Sequence, residues 1–318
     1  MMSSSLRSQS RLHIVVSGAG GLIGSALVRR LTTQGHRVTR LVRRPAGPGE
    51  ISWDPVARSL NPTALEGVDA VAHLSGENVG ARWTAERKAR IRSSRVATTR
   101  LLSETLAGLQ RPPEVLVSAS AVGIYGNRGD EVLTEESPPG DPIRDFLVSV
   151  TQEWEKAAEP ARVEGIRVVH PRFGVVLSPA GGALRKMLLP FRLGLGARLG
   201  SGNQWMSWIS IDDAVEAVHQ ALVDDGLEGP VNVTSPEPVT NRDFTRTLAR
   251  VLSRPALFAV PEPALRLTLG EMAEGTILSS TRAVPARLLQ AVYRFGHPDL
   301  ESALRHVLQK DGRDNFPP

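Results

Sequence analysis

Three glycines at a spacing of three, in Gly18-Ala19-Gly20-Gly21-Leu22-Ile23-Gly24, follow a short apolar run and open a helical pattern. This arrangement suits the pyrophosphate of a dinucleotide. One glycine permits a tight turn, one lets the backbone approach the phosphates, and one lets helix and strand pack closely. The amides at the helix N-terminus would then supply the anion site. Glycines also mark ordinary tight turns, and that remains the alternative reading. The end of the second apolar run bears on which dinucleotide would bind. An acidic residue there would hold the ribose hydroxyls of NAD, but the chain reads Leu41-Val42-Arg43-Arg44-Pro45 with no Asp or Glu before Glu50. Two guanidinium groups suit the 2′-phosphate of NADP. The alternative is a pair of solvated loop charges.

The elements that must position these groups follow from periodicity. Leu12 to Ser17, His36 to Val42, Val68 to Leu74, Glu114 to Ser118 and Gly165 to His170 are short apolar runs that read as buried strands. Helical spacing covers Leu22 to Gln34, Ala85 to Leu109 and about Ile143 to Glu164. Strands alternating with helices imply parallel βαβ units and a Rossmann-type, doubly wound α/β sheet. Beyond Gly174 the chain is rich in glycine-punctuated loops. A helix at Ile211 to Asp225, a strand at Gly229 to Val233, a helix at Asn241 to Leu252 and a mainly helical tail from Pro261 follow. The expected organisation is a flexible tail at residues 1–11 and a Rossmann domain at 12–175, to which 206–230 return. Residues 176–205 and 231–318 then form a smaller substrate-side lobe.

Composition narrows the functions. Hydrophobic residues make up 41% of the 318, enough for a sizeable core. No apolar run approaches the roughly 18 residues needed to span a bilayer, so no membrane association is expected. Met1 to Arg11 lacks the apolar segment of a secretory signal, although a degenerate organelle-targeting tail stays open. There are no cysteines, which excludes disulfides and Cys-ligated zinc; a reducing, cytoplasmic setting fits. His73, His170 and His219 show no metal-ligand spacing, and no metal is expected. The net charge of +5 comes mostly from scattered arginines, with lysine only at 88, 156, 186 and 310. Without a basic run beside aromatic platforms, nucleic acid is not an expected partner.

With Gly18-x-x-Gly21-x-x-Gly24 the chain resembles the extended short-chain dehydrogenase/reductases. The likeness continues through Leu74-Ser-Gly-Glu-Asn78, Ser118-Ala-Ser-Ala-Val-Gly-Ile-Tyr-Gly126, Trp154-Glu155, Pro171-Arg-Phe-Gly-Val-Val-Leu177, Gly200-Ser-Gly-Asn-Gln204, Ser207-Trp-Ile-Ser-Ile-Asp212, Thr240-Asn-Arg-Asp-Phe244 and Arg282-Ala-Val-Pro285. In detail it is similar to an atypical branch of that superfamily labelled as an epimerase family, over about Leu12 to Leu308. The resemblance implies NADP contacts at the glycine loop, Arg43, Leu74, Ser75 and Arg95, with Arg44 and Gly76 beside them. It also implies that Pro171 and Arg172 end the strand facing the nicotinamide, and that the C-terminal lobe closes over a small-molecule substrate. Arg95 also fits a surface salt bridge.

The pattern breaks at catalysis. Ordinary members use Tyr-x-x-x-Lys, in which the lysine lowers the tyrosine pKa. The only tyrosines here are Tyr125 and Tyr293, followed four residues later by Gly129 and His297. The remaining candidates are Ser120, which could donate a hydrogen bond to a substrate carbonyl, and Tyr125, which could supply a proton. Both also fit purely structural roles. Trp205, Met206 and Trp208 fit either a pocket lining or core. Two functions are therefore expected to compete: an NADP-dependent oxidoreductase or epimerase acting on a small carbonyl or sugar-like substrate, and a catalytically weak or inactive NADP(H)-binding module that reports cofactor state to a protein partner.

Overall fold

The central strands are β-branched and apolar, and parallel pairing buries both of their faces. The computed structural model describes residues 11–313, so most of the expected N-terminal tail lies outside the described residues. The main sheet contains β1 (His13–Ser17), β2 (Arg37–Val42), β3 (Glu50–Asp54), β4 (Ser59–Leu60), β5 (Ala70–His73), β6 (Val115–Ser118), β7 (Ser120–Ala121), β8 (Arg167–Phe173) and β9 (Gly229–Val233). Its order is β9-β8-β6-β5-β1-β2-β3-β4, with β7 continuing beside β8. All pairs are parallel except β3 with β4. The order reverses between β1 and β5, the crevice where ligands bind in sheets of this type.

Ten α-helices lie among the described residues: α1 (Leu22–Thr33), α2 (Ala85–Ala107), α3 (Phe146–Lys156), α4 (Glu159–Val163), α5 (Gly182–Arg192), α6 (Ile211–Val223), α7 (Asn241–Val251), α8 (Glu262–Leu269), α9 (Ala286–Gln290) and α10 (Leu300–Arg313). Alternation along the strands sorts the core. Ile14 and Val16 pack with Leu27 and Leu31 of α1 and Val218 and Leu222 of α6. Val15 faces the other way, with Leu102 and Leu106 of α2 and with Ala161. The result is a three-layer sandwich. None of the helices in the described residues is long and apolar enough to cross a membrane.

Two features differ from the sequence expectation. The single helix expected from about Ile143 to Glu164 is two helices, because Pro160 has no N–H to donate and its ring would strike the preceding turn. The pattern also assigns nothing between Val42 and Val68, yet β3 and β4 extend the sheet there. Trp53 of β3 anchors them in the core at 4% exposure.

The second lobe has its own core, in which Leu184, Leu188 and Phe191 of α5 meet Trp208, Phe244, Leu248 and Leu304. The chain crosses between the lobes repeatedly. Trp208–Ser210 pairs with Val175–Leu177, α6 returns to the sandwich, and β9 stays in the main sheet through Val233. Leu288 and Tyr293 then pack back into the sandwich core.

Candidate functional site

The glycine loop sits where β1 turns into α1. Gly18 has φ +69°, and a Cβ there would lie 2.6 Å from the Leu74 carbonyl carbon and oxygen at the end of β5. A Cβ on Gly24 would lie 2.2 Å from the Gly18 oxygen. These two glycines are therefore imposed by packing. Around Gly20, by contrast, nothing lies within 4 Å of the Cβ position. The Gly21 N–H donates to the Gly18 oxygen at 2.9 Å, and the first bond of α1 runs from Ser25 N to Gly21 O. The intervening amides of Leu22, Ile23 and Gly24 have no partner among the described residues. Helix α1 has no side-chain cap and no acid in its first turn. This open positive pole next to an exposed glycine backbone is the form an anion site takes. Ala19 packs its side chain toward the core.

The end of β5 completes the cradle. Ser75 Oγ donates to Ser17 Oγ at 3.1 Å, and Ser17 Oγ pairs with His73 Nδ1 at 2.6 Å. Burial lowers the His73 pKa to about 4, so the ring is neutral. Gly76 leaves room for Arg95: a Cβ would lie 3.2 Å from its Cζ. Arg95 stacks on Trp154 at 5.0 Å, and Nη1 donates to the Ile91 carbonyl at 3.2 Å. It has no carboxylate partner at salt-bridge distance among the described residues, so a surface salt bridge is not its role. Burial pulls its pKa down to about 10 against the opposing charge of Glu77. A desolvated, unpaired cation beside the glycine loop is what a bound phosphate would neutralise. The residues present therefore fit a dinucleotide.

The two arginines after β2 have different surroundings. Arg44 forks onto Glu50, with both bonds at 2.7 Å, and the Gly47 N–H also donates to that carboxylate. Arg43 is exposed and unpaired among the described residues. Of the two arginines expected to meet a 2′-phosphate, Arg43 is thus the one without a partner among the described residues. The acid that could have favoured NAD is neutralised by Arg44.

A second polar cluster lies past the end of β6. Ser120 sits opposite Arg172 in the parallel register. Between them reaches Glu155 of α3. Ser120 Oγ donates to Glu155 Oε1 at 2.6 Å, and Arg172 grips the same carboxylate through Nε at 2.8 Å and Nη2 at 2.9 Å. Arg172 Nη1 donates to the Tyr125 hydroxyl at 3.0 Å. That hydroxyl can donate to Asn232 Oδ1 at 2.8 Å or the Thr134 carbonyl at 3.0 Å. Burial opposes the ionised form of Glu155, but the Arg172 contacts override it and hold the carboxyl below its ordinary range. Burial pushes the Tyr125 phenol up, against the influence of Arg172 and Asn232.

These contacts bear on two expected roles. Tyr125 is fully buried, with its single proton engaged within the cluster and its ionisation disfavoured. Ser120 has only 2% exposure, and an ionised carboxylate can only accept, so its proton belongs to Glu155. What Ser120 can offer a ligand is lone pairs: it accepts from a hydroxyl or amide N–H instead of donating to a carbonyl. Pro171 is buried within β8, immediately before Arg172, opposite Val231 of β9. Glu155 is a functional candidate that residue spacing alone does not single out. An acid on an otherwise apolar helix face and an arginine inside a buried strand were the signals that each had a buried partner.

The face of α3 that would carry a tyrosine and lysine is apolar. Phe146, Leu147 and Val150 cluster with Trp83, Ile91 and Met272. Trp83 meets the Phe146 ring edge-on at 5.2 Å and wedges against Gly275, where a Cβ would lie 2.8 Å from the indole. Arg82 donates to the Leu267 carbonyl at 3.1 Å and Lys88 pairs with Glu271, so residues 265–277 are fastened to the loop after β5. Trp208 and Met206 belong to the second-lobe core. Trp205 is half-buried, bonded to Asp130 at 3.0 Å with Arg282 stacked 4.0 Å above it.

Comparison with known proteins agrees with this geometry. Residues 14–233 match the NAD dependent epimerase/dehydratase family, and residues 260–307 match a domain of unknown function, DUF1731. Epimerase family protein Mb2239 of Mycobacterium bovis is 43% identical over 301 residues, covering 94% of this chain and 98% of that protein. The crystal structure of human epimerase family protein SDR39U1 (isoform 2) with NADPH superposes with a TM-score of 0.86 at 34% identity, over 94% of this chain and 99% of that one. A nucleoside-diphosphate sugar epimerase from Corynebacterium glutamicum gives 0.79 at 35% identity, over 99% of this chain and 65% of that one. With a glycine cradle, a Rossmann-type sheet and relatives matched along nearly its whole length, this chain belongs to the NAD dependent epimerase/dehydratase family.

Proposed function

We propose that the chain is an NADP-dependent oxidoreductase or epimerase of the extended short-chain dehydrogenase/reductase type, acting on a small carbonyl or hydroxyl substrate without a Tyr-Lys pair. The observation that carries the reading is the cradle: packing-imposed Gly18 and Gly24, an uncapped α1 and the unpaired Arg95. The choice of NADP over NAD rests on unpaired Arg43 and on the neutralisation of Glu50 by Arg44. NADP would supply the hydride, or accept it, at its nicotinamide ring. The chain's own part is to hold the phosphates on the α1 amides, set Arg43 against the 2′-phosphate, and present the lone pairs of Ser120 to a donor group of the substrate.

In the polar cluster Glu155 is held low, the His170 pKa is lowered by burial, and Tyr125 and Arg172 are raised. Hydride transfer should accordingly vary little between about pH 7.5 and 9, with solvent supplying the proton. Calorimetry should show NADPH bound at least about tenfold more tightly than NADH, a modest ratio for a charge-assisted contact. Equal affinities would sink the NADP assignment.

Among the described residues no free acid or base stands beside Ser120, which favours a second reading, a module whose NADP(H) occupancy is read by a protein partner. Single-turnover oxidation of bound NADPH by a panel of aldehydes and ketones separates the two. Unchanged absorbance across the panel, with the cofactor site saturated, would transfer the conclusion to the module.

A further inference from the structure

Helix α5 belongs to the second lobe, but its first turn lies over the glycine loop. A Cβ on Gly181 would sit 3.2 Å from Leu22 Cδ1, and one on Gly182 3.4 Å from Leu22 Cδ2. Leu22 is the first residue of α1, where the open amides are. One helical turn beyond Gly182, at the i+4 position and so on the same face, stands Lys186. Its ammonium donates to the Gly80 carbonyl in the loop that follows β5. A Cβ on Gly80 would lie 3.2 Å from Nζ and 3.1 Å from Asn78 Oδ1. Helix α5 therefore spans from the loop after β1 to the loop after β5, the two loops that flank the crevice.

Lys186 has no carboxylate partner among the described residues, unlike Lys88, which pairs with Glu271. Lys186 is exposed, and its ammonium, held on a neutral carbonyl of the other lobe, makes a tie between the lobes. We propose that Lys186 is a positioning residue that latches α5 across the mouth of the dinucleotide crevice, so that the bond from its ammonium to the Gly80 carbonyl governs how long the cofactor is retained. The proposal rests on the NADP-binding reading above. It adds that release requires α5 to lift, while entry into the lifted state does not depend on the lysine charge.

The test uses the full chain with Lys186→Met and Lys186→Arg, read by stopped-flow NADPH association and dissociation and by hydrogen exchange of the ligand-free protein. The latch requires release from Lys186→Met to be faster by about tenfold, the effect of losing one charge-assisted hydrogen bond. The association rate should not fall, because the ligand-free chain carries the same latch, and it should keep its salt dependence. Lys186→Arg should restore slow release. In the ligand-free Lys186→Met protein, amides of residues 182–192 should exchange faster while the β1–β6 core is unchanged. Unaltered release and unaltered exchange overturn the latch and leave the cofactor assignment intact. A loss expressed mainly in association, with a weaker salt dependence, overturns it in favour of direct contact between Lys186 and a phosphate. Failure of the wild type to bind any dinucleotide overturns the cofactor reading and the latch together.

Discussion

Replacing Arg172 by methionine tests the polar cluster most directly. The Arg172 and Glu155 side chains are only 7% and 16% exposed, so solvent screens them little. Removing the guanidinium leaves a buried carboxylate with Ser120 as its remaining hydrogen-bond donor among those observed, and takes a donor from Tyr125. Orphaning one member of such a pair costs about 3–5 kcal/mol. At roughly 2 °C per kcal/mol for a chain of this size, the melting temperature should fall by about 6–10 °C at neutral pH. The loss should also depend on pH. In the wild type, Glu155 is held below its unfolded value. Its contribution is complete above that value and is lost only as pH falls through the folded pKa, so it is flat from about pH 5 to 8. In Arg172→Met, burial is opposed only by the Ser120 hydrogen bond and the nearby His170, and the folded pKa rises above the unfolded one. Stability is then lost as pH climbs between the two, at up to about 1.4 kcal/mol per unit. The variant should consequently be closer to wild type at pH 5 than at pH 8. The double variant Glu155→Leu, Arg172→Met, which removes both charges, should recover most of the loss. Melting followed by circular dichroism at the two pH values decides the matter. A deficit independent of pH, together with a double variant no better than the single, would refute this account of the cluster.

The glycine loop separates packing from binding. Gly24→Ala should destabilise the fold in thermal melts and abolish NADPH binding, because its methyl would overlap the Gly18 oxygen. Gly20→Ala should melt like wild type yet weaken NADPH in calorimetry, since that space is free only for a ligand; full affinity in Gly20→Ala would place the phosphates elsewhere. Arg43→Ala should remove most of the NADPH preference and leave NADH binding nearly unchanged. Arg44→Ala should instead weaken NADPH by freeing the Glu50 carboxylate, an effect that Arg44→Ala, Glu50→Gln should reverse in the same titration. Ser120→Ala should slow single-turnover hydride transfer by about tenfold or more while Tyr125→Phe stays within a few-fold of wild type; equal effects would return Tyr125 to the chemistry.

The parallel sheet and the cofactor loop were legible because local signals agree with tertiary ones. β1 is continuously apolar, Gly35 ends α1, and the glycines stand between them. The strand Glu50–Asp54 escaped because this short strand, next to the sheet edge, carries only one strongly buried residue, Trp53, and shows no continuous apolar run. Pro160 was a visible stop that the long apolar pattern of residues 143–164 overrode. At the site, residue types announced a guanidinium pair but not its partition, since the bond from Arg44 to Glu50 depends on how the loop between β2 and β3 closes. Ser120 stands in a polar cluster, but its proton is turned to Glu155. Whether a hydroxyl gives or takes a hydrogen bond is decided by the neighbour 35 residues away in sequence, and spacing alone does not reveal that neighbour.

The Trp83 wedge carries a consequence for how this molecule can be divided. The indole is planted between Phe146 of the nucleotide-binding half and Gly275 of the second lobe, and it rides on the very loop that ends the cofactor cradle. A fragment stopping at Val233, where the sheet is complete, would keep every strand and still leave Trp83, Leu147 and Val150 facing water. Grafting a foreign C-terminal segment onto this sheet would meet the same obstacle unless the graft brought its own glycine to receive the indole. The two lobes are thus not interchangeable cartridges: the surface of the second lobe has to change in step with the wall of the first.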